Sequence, residues 1–466
     1  MKTKFNNIIM MVAVPVLAIA FPACNKNNET PTPKPPDPQE ILAISIDKNT
    51  FHFGSKANET HTLSVENTTE WEVRNTASWV SAEKLPDNTL RITATPSRLL
   101  HDRATTLTVA ATNPEQGEAS FVVTQAHGTP RLYTRTLQGG ITARHCSENG
   151  RWATGQKSTA IIVVDITKLA DQSYTGTRVS LERGVHSIDN NGKPYSGGCS
   201  GDGTIYSDYD TQGAVDQGPD KEFFPNRYIP YIMRNDRKIN LSYPGTYSTS
   251  TITVPGYVSR HKYQGCIPDK MSADGKHIYG RLMNTDNGWF AAKWTRIGTS
   301  NTYTFKELGL YSDGDLNKWD TVKTEHEEKN FMTITPKQFL CAQHISGLSL
   351  YGKYACGHYG SSLIGGGQLF RYDMEADKLE LLEDASGIAL YITDDGTLFA
   401  TNDRVYKIGQ TESISTHDWI VEVYGETIAS QVVGSMTVGS VSADYSTTVL
   451  FSGLTDGPSY IITVEP

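Results

Sequence analysis

The sequence predicts an all-β protein. Three observations carry that prediction: short apolar runs that alternate with turn residues, a recurring Ser-x-Asp-Gly string, and a composition rich in Gly (40) and Tyr (23) with few helical Leu/Ala/Glu/Lys periods. At 466 residues the chain exceeds one compact core and divides into parts.

Residues 1–23 read as a lipoprotein leader. Lys2 and Lys4 precede an apolar run from Ile8 to Phe21, and Pro22-Ala23 leads into Cys24. The run is too short for a permanent membrane helix. Cleavage after Ala23 and lipidation of Cys24 are expected, tethering the chain to a membrane outside the cytoplasm. Phe21 stands where Leu is commonest in such leaders, and Pro22 is unusual there. Residues 24–40 are polar and proline-rich, so they cannot bury a core and read as an extended spacer. Only Glu29 follows Cys24 closely, which leaves both a cell-surface and a periplasm-facing outer-membrane position open.

Residues 41–128 carry short runs with period-2 alternation: Ile44-Ser-Ile46, Thr62-Leu-Ser-Val65, Trp71-Glu-Val73, Leu90-Arg-Ile-Thr-Ala94, Thr106-Leu-Thr-Val109 and Phe121-Val-Val-Thr124. Their spacing suits an antiparallel sandwich of immunoglobulin size. The segment holds no cysteine, so no disulfide pins it. The order Trp71-Glu-Val73, Ala77-Ser-Trp79-Val80, Leu90 to Ala94, Arg103 before Leu107-Thr-Val109, and Phe121 to Gln125 resembles the BACON domain, an immunoglobulin-like module of Bacteroidetes surface proteins. The resemblance implies a Bacteroidetes-type host and a setting in glycan capture or degradation. Many members serve as spacers, so no binding residue carries over.

Residues 129–466 hold a degenerate repeat. Copies begin at Cys146-Ser-Glu-Asn-Gly150, Cys199-Ser-Gly-Asp-Gly203, Met271-Ser-Ala-Asp-Gly275, Ile345-Ser-Gly, Ile392-Thr-Asp-Asp-Gly396 and Val441-Ser-Ala-Asp444. Each supplies a positive-φ turn between two strands. Repetition at a few tens of residues predicts blades that cannot bury their faces alone, hence a six- or seven-bladed β-propeller. The run from Arg131 to Leu137 is expected to close the ring beside Ser459 to Val464. The alternative is a second sandwich with irregular hairpins.

Candidate sites are sparse. The net charge of −9, near −11 once Lys2 and Lys4 leave with the leader, argues against nucleic acid. After Cys24, five cysteines remain: Cys146, Cys199, Cys266, Cys341 and Cys356. Buried free thiols are expected, with no metal and no cofactor. Three weaker patterns point to metal: Cys341-x2-His344 with Cys356-x-His358 for zinc, and Asp313, Asp315 and Asn317, or Tyr206 to Asp210, for calcium. Trp152 and Trp294 are expected in the core. Flat sugar faces stack on aromatic rings, so Trp289, Trp319, Tyr257 and Tyr263 are the candidate ligand-binding residues. The leading expectation is therefore a non-catalytic envelope protein that binds glycan or another extracellular ligand. One alternative is a polysaccharide lyase or glycoside hydrolase using His145, His261, Arg260 and Tyr263, with His186 and His358 as further titratable groups. The other is a scaffold for an envelope protein partner.

Overall fold

The computed structural model describes residues 42–56, 59–74, 76–181, 183–215, 224–242, 251–254, 257–260, 263–284, 289–308, 344–359, 367–410, 412–452 and 457–466. Strands dominate, as the all-β prediction requires.

Two four-stranded sheets face each other at the N-terminal end. One runs in the order Ser45–Ile46, Thr60–Glu66, Thr89–Ala94, Val80–Lys84, and the other Thr50–Phe53, Glu118–Gln125, Arg103–Ala111, Trp71–Arg74. Alternation decides the faces. In Thr50–Phe53 the two Phe side chains are buried and the Thr and His are exposed. Phe51, Leu63, Leu90, Ile92, Leu107, Val109, Phe121 and Val123 form one shared core. The residues behind the BACON resemblance do structural work here. Trp71 Nε1 donates to Asn88 Oδ1 at 2.7 Å, and Asn88 uses a left-handed φ of 60° to reach the Thr68 carbonyl at 2.8 Å. The Arg103 guanidinium lies 4.4 Å from the Trp79 ring centre and donates to Gln125 Oε1.

Among the described residues the rest of the chain forms six successive antiparallel units, the second and third joined into one seven-stranded sheet by a parallel bridge between Tyr228 and Gly265. The first comprises Ala143–Cys146, Trp152–Lys157, Ala160–Asp165 and Thr177–Ser180. The second opens at Cys199, bridged to Tyr206, and continues through Ile205–Val215, Phe224–Arg234 and Arg237–Asn240. The third has Tyr263–Met271, His277–Asn284, Trp289–Arg296 and Tyr303–Leu308. The fourth has His344–Leu348, Tyr354–Tyr359, Gly367–Asp373 and Lys378–Gly387. The fifth has Ala389–Ile392, Leu398–Ala400 and Arg404–Tyr406, followed by helix Thr416–Tyr424. The sixth has Thr437–Val441, Thr447–Phe451 and Ser459–Glu465, and its outer strand is Thr129–Arg135 from the other end of the region.

One turn recurs at the head of every unit. A Ser or Thr hydroxyl bonds to an Asx side chain two residues on: Ser147 to Asn149 (2.8 Å), Ser200 to Asp202 (2.7 Å), Ser272 to Asp274 (2.5 Å), Thr393 to Asp395, and Ser442 to Asp444 (2.9 Å). The next residue needs positive φ, and Gly supplies it in five copies; Tyr445 adopts it in the sixth, at 57°. The fourth copy departs from the rule. Tyr351 occupies the Asx position, and Asp394 of the fifth unit reaches across instead, accepting from Ser349 Oγ at 2.6 Å and from Tyr351 N at 3.1 Å. The sequence had placed the start of this copy at Ile345; the turn itself is Ser349 to Gly352.

These turns bond to one another in a closed circuit. Gly201 N donates to Ala273 O (2.8 Å) and Ala273 N to Leu350 O (2.7 Å). Asp394 links the fourth to the fifth, and Tyr391 Oη donates to Val441 O at 3.2 Å. Ala443 N donates to Glu148 O (3.0 Å), and Asn190 bridges Asn149 N (2.9 Å) to Gly201 O (2.8 Å). The N-terminal sheets dock on the sixth unit. Arg98 donates to Val464 O at 3.0 Å and Thr463 Oγ1 at 2.8 Å. Gly128 makes that approach possible, because a Cβ there would lie 2.6 Å from Glu465 O.

Candidate ligand-binding site

The first strands of the six units converge on a cavity of about 110 Å³ just inside the circuit of turns. His145, His186, Cys199, Lys270, Gly347, Tyr391 and Ser440 are among its walls, so every unit contributes. Neighbouring first strands lie close: Ser440 Oγ accepts from Cys146 N at 2.6 Å, and a Cβ at Gly439 would meet Arg144 O at 2.4 Å.

Three basic groups set the cavity's electrostatics. Lys270 Nζ donates to His186 O at 3.0 Å. Its neighbour Asp269 is held by Arg281 through two bonds of 2.6 and 2.8 Å. Burial lowers the Lys270 pKa, with Asp269 opposing. Burial first, then the Lys270 ammonium, brings His186 down to about 4, and the same causes hold His145 well below 6.5. Both imidazoles are therefore neutral at pH 7, each with one N–H donor and one acceptor. These three side chains keep partial exposure although they sit deep in the protein, because they face the cavity. At the mouth, Glu148 accepts from Tyr351 Oη at 2.8 Å and from Asn190 Nδ2 at 3.1 Å. The Tyr351 ring is 45% exposed.

Of the residues expected to act, the structure brings His145 and His186 to one cavity. Tyr257 and Arg260 lie on strand Tyr257–Arg260, Tyr263 opens Tyr263–Met271, and Trp289 opens Trp289–Arg296. His261, Trp319, Cys341 and the Asp313 to Asn317 loop lie outside the described residues, as does Cys24. Trp294 is fully buried and donates to Ser242 O at 2.6 Å, a core role; Trp152, expected in the core as well, is only half-buried and donates to Asn190 O at 3.2 Å. Asp208 pairs with Arg183 at 2.5 Å and Asp210 with Lys238, so the Tyr206 to Asp210 segment holds cations of its own. Among the described residues no cluster of His, Cys, Asp or Glu suits a metal ion, and Cys146, Cys199, Cys266 and Cys356 form no disulfide.

Lys270 was missed in the sequence. A signal for it exists. Stacking the six turns places His145, Gly198, Lys270, Gly347, Tyr391 and Ser440 two residues before the turn hydroxyl. On a strand this position shares a face across all copies, and that face is the cavity wall.

No family model matches the chain, and no curated protein does. Among solved structures it is similar to a Bacteroides ovatus GH5 xyloglucanase in complex with a XXXG heptasaccharide (15% identity, TM-score 0.16), covering 23% of this chain and 22% of that one. It is also similar to a candidate TolB from Agrobacterium tumefaciens (10% identity, TM-score 0.30; 62% and 89% covered). TolB from Acinetobacter baumannii is a third (11% identity, TM-score 0.25; 77% and 60% covered). At these scores the likenesses carry no weight for function, which rests on the cavity.

Proposed function

We propose that this is a lipid-anchored envelope protein whose residues 129–466 form a six-bladed β-propeller that binds an extracellular glycan or related ligand without chemical turnover. In this reading residues 41–128 are an immunoglobulin-like, BACON-type sandwich that spaces the propeller from an anchor at Cys24. The observation that carries it is the cavity at the meeting point of six first strands. A concave site with a few convergent polar groups is the usual form of a small-ligand site.

A lyase reading also draws on this cavity, since His145 beside Lys270 pairs a base with a cation. Proton abstraction is most efficient when the base titrates near the working pH. His186 at about 4 and His145 well below 6.5 are too weak for that task near neutrality, which favours binding.

The test is affinity gel electrophoresis of the chain from Asn25 to Pro466 against plant and host polysaccharides, repeated after overnight incubation. Retarded migration with intact polymer supports the proposal. Loss of polymer makes the protein an enzyme. No effect in either arm moves the function to a protein partner.

A further inference from the structure

We propose that this cavity is a carboxylate site, with Lys270 as counter-charge and the imidazoles of His145 and His186 as flanking donors, and that it selects acidic sugars. This deepens the glycan-binding reading and rests on it.

The argument starts from an unbalanced charge. An ammonium carries three donors, and one of those of Lys270 goes to the His186 carbonyl. Both oxygens of the adjacent Asp269 are engaged by Arg281. Glu148, the acidic group at the cavity's mouth, accepts from Tyr351 and Asn190. Among the described residues no carboxylate forms an ion pair with Lys270. A cation at this depth is costly unless paired. The arrangement is therefore that of a site whose counter-ion arrives with the ligand.

Charge and size then narrow the ligand. With both imidazoles neutral, the wall offers one positive charge, which balances one carboxylate. A phosphate monoester brings roughly −1.5 to −2 and leaves an excess. A cavity of about 110 Å³ is smaller than the roughly 150 Å³ void that accommodates benzene. It has room for a carboxylate and its adjoining carbon, not for a sugar ring. The ring would lie at the mouth beside Glu148, whose carboxylate accepts from Asn190 and from Tyr351, an exposed aromatic side chain. A uronate-type sugar has this division, with its acid on one carbon outside a hydroxylated ring.

The experiment is isothermal titration of the chain from Asn25 to Pro466 with D-glucuronate, its methyl ester and D-glucose, on the wild type and on Lys270→Met. The inference expects glucuronate to bind at least about tenfold more tightly than the ester, and the variant to lose that preference. Wild-type affinity should fall as pH rises toward the lowered pKa of Lys270, because the ammonium is lost. Equal binding of acid and ester, or an unchanged preference in the variant, overturns the carboxylate site while leaving glycan binding standing. Binding of polysaccharide in the gel without any binding of glucuronate does the same. Failure of every sugar and every polysaccharide overturns both. Should the variant not fold, the acid-against-ester comparison on the wild type decides alone.

Discussion

Asp394 gives the fourth turn the hydroxyl acceptor that the other five turns carry themselves, and removing it tests the circuit. In Asp394→Ala, Ser349 Oγ loses its 2.6 Å carboxylate partner and Tyr351 N loses both 3.1 Å contacts. A partly buried hydrogen bond to a charged group contributes about 1.5–3 kcal/mol, and the exposed backbone contact contributes less, about 0.5–1 kcal/mol. The expected cost is about 2–4 kcal/mol, or roughly 3–6 °C of Tm for a unit as large as residues 129–466. Differential scanning calorimetry measures it. The cycle is completed by Tyr351→Asp, which restores to the fourth turn the Asx residue that the other five carry. In the double variant the new carboxylate caps Ser349 from within its own turn, so at least half of the loss should return. A cost for Asp394→Ala below about 0.5 kcal/mol, the range of ordinary surface substitutions, would refute the reasoning. Strict additivity in the double variant would refute it equally.

Three further outcomes are expected. His186 titrates near 6.5 when unfolded and at about 4 when folded, so unfolding takes up a proton between those values and stability falls as pH drops through them. His186→Gln should flatten that fall by up to about 3 kcal/mol, and parallel Tm-against-pH curves for variant and wild type would contradict it. Burial pushes the thiols of Cys146, Cys199 and Cys356 up to about 12, so native protein treated with iodoacetamide at pH 8 should show no label at these three sites by mass spectrometry, and full label in urea. Arg98→Ala removes bonds to Val464 O, Thr447 Oγ1 and Thr463 Oγ1, costing roughly 2 kcal/mol at the junction; limited proteolysis should then cut faster near Gly128, and unchanged cleavage would argue that the junction rests on other contacts.

The fold was more legible than the site. Ser-x-Asx-Gly could be read because each residue type has a separate local duty: hydroxyl, acceptor and positive φ. The fourth copy was misplaced for the same reason, since its acceptor comes from Asp394, far away in sequence. The pairing of Thr129–Arg135 with Ser459–Glu465 was foreseen from two leftover strands. Helix Thr416–Tyr424 was not foreseen, although Ser415 and Asp418 form a capping box ahead of the buried Trp419 and Ile420. That signal is short and was outweighed by the surrounding strand pattern. Lys270 escaped because a lysine on a strand reads as solvated surface. What makes it otherwise is its place in the repeat, where equivalent positions from separate units meet on one axis.

The strand Thr129–Arg135 also sets a schedule. Its partner, Ser459–Glu465, is synthesised long after it, when the sheets before Gly128 can already be complete. Until then the strand is an open edge, able to pair with any extended neighbour. Pairing these two strands is thus a strongly non-local step and a slow one, since a long loop must be closed before any contact repays it. Arg98 bonds to the sixth unit itself, so the docking of the early sheets and the pairing of these two strands become one event. A chain cut short before Ser459 would therefore lose the junction as well as the last strand, and would leave Thr129–Arg135 without the strand that covers its edge.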